Sequence, residues 1–150
     1  MSKDSGMTLI VKTITRYTVW LILLYGIYIV LHGHLTPGGG FAGGVIMALA
    51  FLNVLLAYGR DFTEKWLNIK LMHGLESFSA LLFVLIGIGG ILLAGSFLAN
   101  FLSRGELFRL FSSGTIPLLN IIIGVKVSVG LFVVIWTLAL LHIGNKGGAE

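Results

Sequence analysis

The chain has 150 residues, 57% of them hydrophobic and only 11% charged, with a mean hydropathy of +1.01 and no cysteine. That balance excludes an ordinary water-soluble domain, and the lack of thiols removes disulfides, iron–sulfur clusters and thiolate chemistry. The net charge of +4 comes from basic residues that stand singly beside apolar runs, which argues against nucleic acid as a partner and for charges that set orientation in a bilayer.

The first apolar stretch, about residues 9–31, has an uncharged part of 15 residues from Tyr17 to Leu31. Lys12 and Arg16 lie four apart, on one helical face, so their stems can run along the apolar surface while the charged heads reach the headgroups. A signal peptide is the competing reading. No small-residue cleavage pattern follows Leu31, and the helix is expected to remain in the mature protein.

Six glycines fall within the 13 residues His32 to Gly44, around Pro37. Pro37 holds its own φ and pushes Thr36 toward extended geometry, while Gly38, Gly39 and Gly40 permit positive φ, so a tight reversal is expected. Gly40, Gly44 and Ala48 form a small-residue stripe suited to close helix packing. The sharper reading is a turn that dips into the bilayer and exposes backbone carbonyls to a hard cation such as Na⁺. A phosphate loop is disfavoured, because no lysine follows the glycines.

The second span covers about residues 39–58 and ends at the charged segment Arg60 to Lys65. The third covers about 75–100. His73 and Glu76 stand three apart at its entrance, where they are secondary candidates for proton exchange, although a first-turn carboxylate is also favoured simply by the helix dipole. His34 is a further secondary candidate in the turn. Asn53 and Asn100 could hydrogen-bond across helices, which implies modest packing contributions unless they line a cavity. The loop from Phe101 to Ile116 carries enough apolar residues to lie as a short amphipathic surface helix or beneath a partner.

The fourth span, about 117–142, contains Lys126, followed by 19 uncharged residues from Val127 to Asn145. A lysine at the centre of a span costs about 2.5–3.5 kcal/mol on insertion scales, so it should face a carboxylate, a carbonyl or water. Its expected role is proton relay or charge coupling; the alternative is a stem that snorkels outward or a pair that only fixes assembly. Glu76 and Lys126 are expected near opposite membrane faces. The runs lack the two-residue alternation of barrel strands, so the fold class is all-α: an integral membrane bundle of four transmembrane helices, residues 1–150 forming one unit. Seven basic residues outside the cores fall on the side of the termini and two, Arg104 and Arg109, on the other, which places both termini in the cytoplasm of a multi-pass cell-membrane protein.

The stretch His34 to Gly44, followed by Val45 to Ala50, resembles the signature of the MnhB/MrpB family, the B subunits of Mrp-type cation/proton antiporters with relatives in membrane-bound hydrogenases and respiratory complexes. The four spans and the lysine within Asn120 to Lys126 extend the resemblance over most of the chain. It implies an accessory role among other membrane subunits, with Na⁺ and H⁺ as transported ions. Pro37, Gly38, Gly39, Gly40 and Phe41 would then shape an ion-accessible turn, with Lys126 coupling charge. A purely structural subunit that seals and assembles such a complex is the alternative. A dimeric small exporter is disfavoured, since the first span holds no acid. No catalytic constellation, metal site or cofactor motif is visible, and none is expected.

Overall fold

The structure, a computed structural model, describes residues 7–102 and 113–146, with side chains as far as residue 139. Five helices follow in order: α1 (Leu9–His32), α2 (Gly40–Tyr58), α3 (Arg60–Trp66), α4 (Ile69–Ala94) and α5 (Ile116–Lys146). All but α3 are long and apolar enough to cross a membrane. The shortest, α2, has 19 residues, about 28 Å at 1.5 Å per residue, close to the hydrocarbon thickness. The chain is a multi-pass, all-helical membrane protein.

The helices form a row with α2 and α5 at its centre. α1 runs antiparallel to α2: Gly26 lies against Gly43 and Met47, and at the other end the Tyr58 hydroxyl donates to the Lys12 carbonyl at 2.9 Å. α2 and α5 run parallel, with Gly40 against Asn120, Gly44 against Gly124 and Val127, and the Phe51 and Phe132 rings 5.8 Å apart. α4 runs antiparallel to α5, Met72 joining the cluster of Phe132, Val133 and Trp136 while Glu76 lies against Gly130. The small-residue stripe of α2 therefore packs inside this chain. Gly40 and Gly44 face α5, while Gly43 faces α1, where an added Cβ would stand 2.7 Å from the Gly26 carbonyl oxygen.

Helix ends differ from the sequence expectation for local reasons. The charged segment after Tyr58 folds as α3, because Gly59 at φ 82° redirects the chain and the buried Thr63 hydroxyl donates back to the Gly59 carbonyl at 2.8 Å. α4 then starts at Ile69, six residues before Leu75, capped by the Asn68 side chain, which accepts from the Leu71 amide at 3.3 Å. It stops at Ala94 rather than near residue 100, since Gly95 takes the left-handed conformation. The chain doubles back, laying the Phe97 ring on Gly87 and the Leu98–Ala99 backbone on Gly90. α4 is continuous through Gly89 and Gly90; Gly90 makes room for the returning segment, whereas a Cβ on Gly89 would meet the Phe101 ring at an ordinary 3.7 Å. Asn100 sits in that segment, not in a helix. Its Oδ1 accepts from the Thr115 amide and hydroxyl at 2.9 and 3.1 Å, and its Nδ2 donates to the Ser113 carbonyl at 3.0 Å. The amphipathic helix expected between Phe101 and Ile116 falls mostly on residues 103–112, outside the described residues.

Candidate functional site

The glycine-rich turn is drawn tight by one carbonyl. The His32 oxygen accepts from the Leu35 amide at 2.8 Å, the Thr36 amide at 2.9 Å and the Thr36 hydroxyl at 3.2 Å. Gly38 and Gly39 follow at φ 152° and 97°, backbone that L side chains rarely adopt, and the Gly39 carbonyl then accepts the first α2 bond from Gly43 at 3.1 Å. Gly39 and Gly40 are buried, whereas Pro37, Gly38 and Phe41 face outward, Phe41 with 66% of its surface exposed. His34 is half-buried within the same turn.

The turn closes on Asn120, a side chain that sequence reasoning did not single out. A Cβ on Gly33 would collide with the Gly39 Cα and come within 3.0 Å of Asn120 Nδ2; one on Gly39 would lie 3.7 Å from Asn120 Oδ1; one on Gly40 would collide with the Asn120 carbonyl. Three glycines, Gly33 just after α1, Gly39 in the turn and Gly40 at the start of α2, thus cradle one residue of α5. The parallel register of α2 and α5 creates this cradle, and no local sequence signal reports that register.

Lys126 lies ten residues beyond Ile116, about 15 Å along α5, and its side chain is exposed on the surface of this chain. Among the described residues the ion pair is between Arg60 and Glu64, at 3.9 Å, and Lys126 takes no part in it. The turn and Lys126 are not brought together, since residues six apart on a helix point about 120° away from each other. Glu76, however, is brought close. Its Oε1 would stand 3.4 Å from a Cβ on Gly130, and Gly130 is one turn from Lys126 on the same face, about 6 Å along the axis.

This placement corrects two expectations. Glu76 and Lys126 are not near opposite faces, and Glu76 is not a first-turn carboxylate, because α4 begins at Ile69 and has no acid in its first turn. The earlier start carries Glu76 seven residues into the helix, where it is half-buried, while His73 remains exposed. The carboxylate lies against α5 at Gly130, where even an added Cβ would be at contact distance. No group of three or more His, Asp or Glu side chains converges among the described residues.

These features lie within the part of the chain that matches known proteins. Residues 10–133 match the family model described as a domain related to the MnhB subunit of Na⁺/H⁺ antiporters. The B subunit of the Bacillus subtilis Na⁺/H⁺ antiporter is 33% identical over 100 residues, covering 67% of this chain and 69% of that protein. An uncharacterized protein of Methanocaldococcus jannaschii is 38% identical over 117 residues, 74% of this chain but 44% of its own length. Among solved structures, a chain of the membrane-bound sulfane sulfur reductase, an archaeal respiratory membrane complex, superposes with a TM-score of 0.71 at 33% identity, covering 88% of this chain and 57% of that one. The chain thus spans about half the length of two of these relatives and some two thirds of the third. With the matched region running from the first span through the lysine-bearing helix, the chain belongs to the MnhB-related family.

Proposed function

We propose that this protein is an accessory membrane subunit of a multisubunit Na⁺/H⁺ antiport module, in which Lys126 couples charge movement in a neighbouring subunit to the state of Glu76. Both termini face the cytoplasm of the cell membrane. The observation that carries the reading is an amine exposed on the outer surface of a membrane helix, one turn from a carboxylate seated against Gly130. A charge so placed is costly in lipid and is completed by a carboxylate, carbonyl or water supplied from outside this chain. The turn from Pro37 to Phe41 presents its outward residues as a rigid wall of the ion-accessible region, held by the Asn120 cradle.

A second reading, a purely structural subunit that seals the edge of a hydrogenase or other respiratory complex, is favoured by one observation. The turn's glycines are spent on packing, and its His32 and Gly39 carbonyls already accept hydrogen bonds. The two readings separate on Lys126→Ala in the assembled complex. Charge coupling predicts that Na⁺-dependent proton exchange in membrane vesicles falls about fivefold to 150-fold, the usual span of a coupling energy, while the complex still assembles. Unchanged exchange kinetics and ion dependence would leave the sealing role.

A further inference from the structure

A cleft of about 420 Å³ opens between α1 and α2 at the end of the bundle beside α3, away from the glycine turn and from Lys126. Its floor is Thr15, Val19 and Val54, all buried. Around it stand Arg16, Trp20, Tyr58 and Trp66, with Phe62 stacked on Tyr58 at 4.5 Å. Arg16 is exposed and has no carboxylate within 4 Å among the described residues, whereas nearby Arg60 is engaged by Glu64 and by the Trp136 ring at 5.8 Å. Lys12 adds a second cation one turn before Arg16 on the same face of α1.

We infer that this cleft holds the phosphodiester headgroup of an anionic phospholipid, bound through Arg16 with its acyl chain lying along the apolar surface of α1 and α2. Three features select this occupant. A guanidinium is a forked donor that matches a phosphate's paired oxygens, and it stands here without an internal counter-charge. Trp and Tyr rings belong at the level of lipid headgroups, and basic pockets between transmembrane helices recognise anionic ones. The volume falls within the range of small-ligand sites, about 300–1,000 Å³, whereas a packing helix some 10 Å across would not enter it.

The test uses the intact complex purified from membranes, delipidated and reloaded in vesicles of phosphatidylglycerol or of phosphatidylcholine, with bound lipid counted by native mass spectrometry. The expected result is phosphatidylglycerol retained in preference to phosphatidylcholine, with retention about tenfold lower in Arg16→Gln and an intermediate loss in Arg16→Lys. Excess inorganic phosphate should not displace the lipid. Val54→Trp keeps every charge and fills the floor, so it must release the same lipid even if Arg16→Gln fails to assemble. Retention unchanged in the variants that assemble, equal retention of both lipids, displacement by inorganic phosphate, or a cross-link from position 20 to another subunit's helix would each overturn the assignment.

Discussion

At the residue scale, the chain places one amine and one carboxylate where a membrane makes them expensive. At Gly130 a Cβ would meet the Glu76 carboxylate at 3.4 Å, an ordinary contact, so the carboxylate lies directly against α5. Glu76→Gln keeps the size and removes the charge. It should lower exchange in the intact complex by a factor similar to Lys126→Ala, and the double variant should lose less than the product of the two, as coupled residues do. Additive losses, measured in the same vesicle assay, would show that the two side chains act separately. Lys126 was legible in the sequence because a charge inside an apolar run is conspicuous. The nearness of Glu76 was not, because it depends on where α4 begins, and that is decided by Asn68, an inconspicuous cap.

At the scale of elements, the glycines between α2 and α5 are fixed by close contact. A Cβ on Gly40 would overlap the Asn120 carbonyl, and one on Gly44 would lie 2.8 Å from the Gly124 carbonyl, so Ala at either position forces α2 away from α5. Overpacking of this kind costs about 1–3 kcal/mol, which should appear as a lower melting temperature and less of the subunit in assembled complex. Gly74 is the internal control: an added Cβ meets nothing within 4 Å, and Gly74→Ala in the α4 interior should be neutral or stabilising by up to about 1 kcal/mol. The close loop at the other end gives a third case. Asn100→Ala removes two acceptor contacts and one donor that tie the segment after α4 to the start of α5, a loss of about 1–3 kcal/mol if the groups left behind stay buried. The four spans and the helical class were readable from apolar run length alone. The stripe on α2 was readable too, but its partner was not: the parallel pairing with α5 brings together residues some eighty apart, and only the fold reveals that the stripe is satisfied within the chain.

At the scale of the whole molecule, the row of helices leaves most of its apolar surface uncovered. Only 17% of the apolar window of α4 and 22% of that of α1 is buried inside the chain, and Trp20, Leu21, Leu24, Leu92 and Leu93 are among the exposed side chains. In a bilayer that surface meets lipid or other subunits, and the outward amine of Lys126 distinguishes the two, since lipid tails offer it no counter-charge. The family relationship places similar chains in an antiporter and in a respiratory membrane complex, settings in which such faces have neighbours. Charge coupling as proposed therefore requires Lys126 to meet another polypeptide. The most direct measurement introduces a photo-crosslinking residue at position 126 of the assembled complex, with position 132, whose Phe is fully buried, as the internal reference. Adducts to a second subunit from position 126, and none from position 132, are the predicted result; a position 126 that reacts only with lipid would contradict it.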